Sequence, residues 1–262
     1  MKKIKLFSTL VLGTIAMTMI STTTLAAETQ EYKSHGVVEF RPNTDPTAPV
    51  DPENPDPENP VEPVDPSNPG GKPEPGTQGP LSIDFASTFD FGLNKISNKN
   101  ETYYARAQHF NNNHQDTPNY VQVTDNRGTN SGWKLSVKQE GQLTATTDTL
   151  NKTLTGAQIT LNNPTVASNV EGVVAPTPAE TVSLNPDGSE VLVMTAADGS
   201  GAGTWADYWG KVATVQEEDE QGIKQEVNVT KDVTLSVPGS TPKDAVKYQT
   251  TLTWVLTDVP GN

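Results

Sequence analysis

Residues 227–238 have the sequence VNVTKDVTLSVP, and the second half of this stretch alternates between apolar and polar side chains. Val233, Leu235 and Val237 fall on one face of an extended chain, because successive side chains of a strand point to opposite faces. The Thr and Ser residues between them fall on the other face. The stretch therefore predicts a strand with one face on a core and the other toward solvent.

Strand-like runs of the same kind recur through residues 81–262, separated by turn-forming stretches rich in Gly, Asn and Asp. They lie at residues 81–85, 103–108, 120–125, 133–138, 142–146, 157–161, 181–184, 190–196 and 248–257. No window shows the apolar repeat of 3.6 residues that indicates a helix. We expect residues 81–262 to form one all-β domain, an antiparallel β-sandwich.

The first 27 residues have the pattern of a secretory signal peptide. Three lysines precede an apolar run at residues 6–20, and small residues follow around Ala26 and Ala27, where we expect cleavage. The apolar run is too short to span a bilayer comfortably. We therefore expect a secreted protein that has no membrane-inserted segment after cleavage.

A short segment, residues 28–41, leads into a proline-rich tract at residues 42–80. The tract holds 13 of the 21 prolines, eight acidic residues, one lysine and no aromatic residue. Its few apolar side chains cannot bury enough surface to offset the entropy lost on ordering. Because proline stiffens the backbone and like charges repel, we expect a disordered, extended and semi-rigid linker.

The charge of the chain disfavours several classes of partner. The formal net charge is −14, and it becomes −17 when the three lysines of the signal peptide are removed. Like charges repel, so binding to nucleic acid, anionic lipid or polyanionic wall polymers is disfavoured. The sequence has no Cys, so its stability must come from a hydrophobic core of ordinary size without disulfides.

No motif in the sequence indicates catalysis, a metal or a cofactor. Of the three histidines, only His109 and His114 fall close together, in an Asn-rich stretch that indicates a loop. The acidic run at residues 216–222 lacks the alternating oxygen ligands of a calcium loop and indicates a solvated hairpin tip. Neither a nucleophile elbow nor a phosphate-binding loop is present. We therefore expect a protein that is not an enzyme and needs no cofactor.

Two short motifs carry information beyond the fold class. The first is a Trp-x-Leu triplet, in which Trp133 and Leu135 flank a lysine. The second lies at the end of the sequence and comprises Tyr248, Leu252, Trp254, Leu256 and Pro260. Together with the segment at residues 34–40, the Asp-Pro-rich tract and PLSIDFASTFDFG at residues 80–92, this pair resembles the WxL domain of Gram-positive surface proteins.

The resemblance implies a cell-surface protein that attaches non-covalently to the cell wall, with peptidoglycan as its ligand and adhesion as one output. The sequence contains no LPxTG-type sorting motif and no lipid-bearing Cys, which agrees with non-covalent attachment. An alternative is a protein-interaction subunit that docks onto a membrane-anchored companion protein through its terminal strand. A wall hydrolase is disfavoured, because no pair of carboxylates stands out by its spacing.

The strand periodicity predicts a structural role for the motif residues. In the terminal stretch, Tyr248 shares one face with Leu252, Trp254 and Leu256, and the opposite face is mostly polar. Trp133 and Leu135 likewise share the apolar face of their strand. Both motifs therefore place their Trp toward the core, where large aromatic side chains contribute most.

The sequence TWADYWG at residues 204–210 offers another set of candidate binding residues. Trp205, Tyr208 and Trp209 crowd together beside the Gly-rich stretch ADGSGAG. Aromatic side chains next to a flexible loop can stack on sugar rings or anchor a protein partner. The alternative is that the cluster closes one end of the sandwich, and the sequence favours neither.

Overall fold

The computed structural model describes residues 29–68, 70–219 and 221–258. The chain divides into two compact units, Met1–Glu39 and Phe40–Asn262. Within the first unit, the described residues 29–39 are exposed and belong to no helix or strand. The signal peptide predicted for residues 1–27 lies outside the described residues, as does Pro260 of the terminal motif. None of the described segments forms a helix long and apolar enough to cross a membrane.

The described residues of the second unit contain fifteen strands and no helix. The strands of its first half are β1 (Leu81–Ala86), β2 (Glu101–Arg106), β3 (Tyr120–Asp125), β4 (Trp133–Gln139), β5 (Thr144–Ala145), β6 (Gln158–Asn162) and β7 (Pro164–Ala167). Those of its second half are β8 (Thr177–Pro178), β9 (Thr181–Ser183), β10 (Val191–Ala196), β11 (Gly203–Trp209), β12 (Val212–Glu218), β13 (Lys224–Val237), β14 (Tyr248–Gln249) and β15 (Leu252–Asp258).

These strands form three larger antiparallel sheets and one short pair. The first sheet has the order β1-β3-β11-β7, and the second has the order β15-β4-β10-β8. The third sheet has the order β12-β13-β6-β9, with β2 also paired to β13, while β14 pairs with β5. One hydrophobic cluster draws side chains from all three larger sheets, so they enclose a common core. The predicted all-β antiparallel class is confirmed.

Most of the predicted strands are present, but the terminal stretch is divided and some further strands occur. The terminal stretch forms two strands, because β14 pairs with β5 whereas β15 pairs with β4. The sequence pattern did not predict four of the strands: β7, β8, β11 and β12. The acidic run at residues 216–222 lies at the end of β12 and the turn before β13, as the prediction of a hairpin tip implies.

The core is organised around Trp133, whose side chain is fully buried. Its indole Nε1 donates a hydrogen bond to the carbonyl oxygen of Gly201 at 3.0 Å. Gly201 has a φ of 74°, and a Cβ added there would lie 2.8 Å from the Trp133 indole nitrogen and 2.5 Å from the Ala196 Cβ. The Gly-rich stretch before β11 therefore allows the backbone to close over the indole ring.

We expect Gly201→Ala to destabilise the protein much more than Gly199→Ala. Both glycines have a positive φ, so both substitutions carry a similar backbone cost. Only the new methyl group at position 201 meets the Trp133 ring, because a Cβ at position 199 has no atom within 4 Å. Overpacking of this kind adds about 1–3 kcal/mol, measured as the difference in free energy of unfolding by denaturant titration. Equal destabilisation of the two variants would contradict this packing.

Asp207 is a buried carboxyl group without a hydrogen-bond partner among the described residues. It lies in β11 between Trp205 and Trp209, both of which belong to the main core cluster. Burial raises the pKa of Asp207 well above its ordinary value, because an apolar environment disfavours the charged form. Burial in the core therefore favours the neutral form of this side chain.

We expect Asp207→Asn to make the protein more stable at neutral pH and to flatten the pH dependence of its stability. A carboxyl group with a higher pKa in the folded state binds its proton more tightly when folded. The contribution of Asp207 to the free energy of unfolding is therefore fully present below the unfolded-state pKa near 4. As the pH rises from there toward the folded-state pKa, this contribution falls by about 1.4 kcal/mol per pH unit.

The free energy of unfolding of both proteins should be measured between pH 3 and pH 8. The difference between wild type and Asp207→Asn should be small at the acidic end and grow with pH. Asp187→Asn is the control, because Asp187 is exposed and its pKa is lowered by hydrogen bonds from Ser189. A pH profile of Asp207→Asn that parallels the wild type would refute the assignment.

Candidate functional site

The first sheet is buried on both of its faces. Its inner face contributes to the main core, whereas its outer face contributes to a second, smaller cluster. The buried members of that cluster are Val61, Phe85, Phe110, Tyr120 and Ala206. Val61 belongs to the proline-rich tract, so this tract supplies some of the cover over the outer face.

Hydrogen bonds hold the tract against the sheet. Gln122 is fully buried in β3; its Oε1 accepts a hydrogen bond from the Val50 backbone N–H at 2.8 Å. Its Nε2 donates to the Ala48 carbonyl oxygen at 3.1 Å. Further along, the Val64 N–H donates to the His109 carbonyl oxygen at 2.8 Å. These contacts join two separate points of the tract to the domain.

The tract differs from the extended spacer predicted from its composition. Its DPEN and DPSN repeats form turns, in which the Oδ1 atoms of Asp51, Asp56 and Asp65 accept the N–H of the residue two positions later. Val50 and Val61 are buried although most of their neighbours in the tract are exposed. Proline supplies the fixed φ of each turn, and these two valines supply the apolar contact.

A loop between β2 and β3 lies beside the tract and carries both neighbouring histidines. Gln108 and Thr117 exchange backbone hydrogen bonds of 2.9 and 3.1 Å, which close the loop at its base. His109 Nδ1 lies 2.7 Å from Asp116 Oδ1, and His114 Nε2 lies 3.2 Å from Asp51 Oδ2. Each histidine therefore faces a different carboxylate. Among the described residues, no group of three or more His, Asp or Glu side chains is placed to hold a metal ion.

An open groove runs between this loop, the tract and the third sheet. It has a larger section with a volume of about 730 Å³ and a smaller section with a volume of about 500 Å³. Both sections are lined by Asp116 and Asn228, so they adjoin each other at these two residues. The larger section is further lined by Glu53 of the tract and by Lys211 at the turn before β12. We call these two adjoining sections the composite groove.

The polar groups of the composite groove are positioned by one another. Asn228 Nδ2 donates to Asp116 Oδ2 at 2.9 Å, so Asp116 is held between β13 and His109. Burial and the neighbouring Asp51 carboxylate raise the pKa of Glu53, while Lys211 and His114 act in the opposite direction. The groove therefore presents carboxylates and amides beside the apolar side chains of Val212, Ala107 and Val227.

The aromatic candidates of TWADYWG do not form an exposed cluster beside the Gly-rich stretch. The stretch forms β11, an interior strand of the first sheet. Trp205 and Trp209 are buried in the main core, so neither presents its ring to a ligand at the surface. Tyr208 points to the outer face and packs against the second cluster; burial, and then the Glu53 charge, raise its pKa. Of the three, Tyr208 alone lies near the composite groove.

The motif residues lie where their strand periodicity places them. Trp133 and Leu135 are fully buried. The four residues Tyr248, Leu252, Trp254 and Leu256 are half-buried and pack against the main core cluster. The ring of Trp254 stacks on that of Trp209 with centroids 6.2 Å apart, which connects the terminal strand to β11.

No sequence pattern predicts Asp51, Glu53, Asp116 or Asn228 as site residues. The first two lie in a tract whose composition indicates a linker, and the other two lie more than 100 residues apart in the sequence. One signal was available, since Val50 interrupts a polar and proline-rich stretch directly before the first DPEN repeat. An apolar residue at such a position can mark a point of attachment.

Comparison with protein-family models matches residues 27–260 to the WxL domain, described as a surface cell wall-binding domain. No curated protein and no solved structure matches the chain. The matched range includes the proline-rich tract as well as all fifteen strands.

We expect Gln122→Leu to release the tract from the sheet without unfolding the domain. The substitution removes the acceptor of the Val50 N–H and the donor to the Ala48 carbonyl and the Asp84 carboxylate, while an apolar side chain of similar size still fills the space. Hydrogen exchange of the Val50 amide, followed by NMR, should accelerate about tenfold or more. Gln221→Leu, at the exposed hairpin turn, is the control. Unchanged protection of Val50 would show that Gln122 does not hold the tract.

Proposed function

Because the chain belongs to the WxL domain family of cell wall-binding surface proteins, we propose that it binds peptidoglycan directly and non-covalently. The family assigns the protein to the cell surface and the wall. We propose that the composite groove is the contact surface, that secretion through the N-terminal signal brings the protein there, and that adhesion is the output of the attachment.

The shape and chemistry of the groove support this proposal. Small-molecule sites are enclosed and mostly apolar, whereas the composite groove is open along its length and polar. An open polar groove suits a segment of a polymer whose ends continue beyond the protein. Amide and carboxylate groups such as those of Asn228, Gln115 and Asp116 can hydrogen-bond the hydroxyl and amide groups of a wall glycopeptide.

A second candidate function rests on the terminal strand. Within the described residues, β15 pairs with β4 on one side and with no strand on the other. An unpaired strand edge can accept a strand from another protein. The alternative proposal is therefore that β15 docks onto a membrane-anchored companion protein, which itself contacts the wall.

We expect the exported chain, residues 28–262, to sediment saturably with protein-free peptidoglycan. The tract must be included, because Glu53 lines the groove and Asp51 contacts His114 of the lining. Hydrogen bonding and salt bridges need no divalent cation, so binding should persist when a chelator is added. The bound fraction should be measured over a range of peptidoglycan concentrations, with insoluble cellulose as the control polysaccharide.

Sedimentation that requires a divalent cation would indicate bridging between acidic groups instead of direct recognition. Failure to bind peptidoglycan at all would favour the companion protein and β15. We further propose that the protein binds without catalysing a reaction. Zymography on a peptidoglycan-containing gel tests this, and a clearing zone would contradict it.

A further inference from the structure

The N-terminal segment at residues 29–41 carries large apolar side chains that are exposed to solvent. Every residue of the segment is exposed, and the exposed fractions are 94% for Tyr32, 93% for Val37, 74% for Val38 and 88% for Phe40. Among the described residues, no hydrogen bond or ion pair involves this segment. A cluster of exposed apolar side chains indicates a surface that binds another molecule.

The backbone of the segment is suited to pair with another strand. None of its described residues has a positive φ, Gly36 included, so no left-handed turn interrupts it. In an extended chain Tyr32, Val38 and Phe40 fall on one face, and the charged residues fall on the other. Aromatic and β-branched residues favour strands, and an added strand would give partners to the backbone N–H and C=O groups.

The order of charges in the segment is complementary to itself. When two copies pair antiparallel around Gly36, residues equally distant from this glycine lie opposite each other. Glu31 then faces Arg41 of the second copy, and Lys33 faces Glu39 of the second copy. Because the pair has two-fold symmetry, each of these contacts between opposite charges occurs twice.

The same register also pairs the aromatic side chains. Tyr32 faces Phe40 of the second copy at each end of the pair, and aromatic side chains directly opposite each other stabilise neighbouring strands. Gly36 lies at the two-fold axis, where its lack of a side chain lets the two backbones approach closely. Charge and aromatic pairing therefore favour one and the same register.

Other arrangements of two copies place like charges together. A parallel pair in register brings each charged residue beside its own counterpart. An antiparallel pair shifted by two residues places either Glu31 opposite Glu39 or Lys33 opposite Arg41. A shift by one residue mixes the apolar face with the charged face. The sequence of the segment thus specifies both the direction and the register of the pairing.

We propose that two copies of the protein associate through residues 31–41, which form an antiparallel two-stranded ribbon around a two-fold axis at Gly36. The inference is independent of the proposed wall-binding function. The segment has two acidic and two basic residues and a net charge of 2 − 2 = 0, so pairing there avoids the repulsion expected of an acidic chain. A two-stranded ribbon is only marginally stable alone, so association depends on protein concentration and increases when copies are held on one surface.

Charge reversal tests the pairing in the exported chain, residues 28–262. Lys33→Glu places two glutamates opposite each other, and Glu39→Lys places two lysines opposite each other. Sedimentation equilibrium should show concentration-dependent dimers of the wild type and about tenfold weaker association of each variant. A mixture of the two variants should form mixed dimers as strong as those of the wild type, because every Glu at these positions then faces a Lys. Lys99→Glu, an equal charge change at an exposed residue outside the segment, is the control and should associate like the wild type.

Disulfide formation tests the register, since the sequence contains no Cys. Ser34 faces Val38 of the second copy in the proposed ribbon, whereas the two copies of Ser34 are offset by 38 − 34 = 4 residues. At about 3.4 Å per residue, this offset exceeds the Cα separation of about 7 Å that a disulfide can bridge. In a glutathione redox buffer, a mixture of Ser34→Cys and Val38→Cys should form mixed disulfide-linked dimers, and each variant alone should form few.

Thermal unfolding should be unchanged in these variants, because the substituted side chains of the segment are exposed. The proposal would be overturned by a wild type that stays monomeric at every concentration, or by a mixture of charge variants that associates no better than either alone. Equal yields of mixed and self-linked disulfides would also overturn it. None of these results changes the expected sedimentation with peptidoglycan, so the two proposals fail separately.

Discussion

Burial of the first sheet on both faces is the constraint on which the rest of the structure depends. Strand β11 sends Trp205, Asp207 and Trp209 into the main core and Ala206 and Tyr208 to the outer cluster. An outer face with this much apolar surface is unstable in water, so it requires a cover. The proline-rich tract and the loop before β3 provide it, and the composite groove lies beside their junction.

The same constraint explains why the tract is ordered. A chain rich in proline and acid has no core of its own, but proline reduces the conformational entropy that must be lost when the chain docks. Two buried valines and the hydrogen bonds of Gln122 then hold it on the sheet. As a consequence, Asp51 and Glu53 face the loop that carries His114, and the tract is part of the proposed binding unit.

The terminal strand is integrated in the core by side chains from distant regions of the sequence. Trp254 stacks on Trp209 in β11, and the Arg127 guanidinium bonds to both Asp125 at the end of β3 and Asp258 at the end of β15. Asp125 and Arg127 are largely buried, so this pair is shielded from solvent more than a surface salt bridge is. The two tryptophan motifs are therefore structural supports of the site and do not form its lining.

The sequence by itself determined the all-β class, the positions of most strands and the inward direction of Trp133 and Trp254. These properties follow from side-chain alternation, which is local. Strand β11 was not recognised, because burial from both sides removes the alternation that marks a half-buried strand. Only the tertiary structure decided that the tract covers a sheet, that burial raises the pKa of Asp207, and that Glu53, Asp116 and Asn228 line one groove. Those facts depend on contacts between residues far apart in the chain, and no local pattern encodes such contacts.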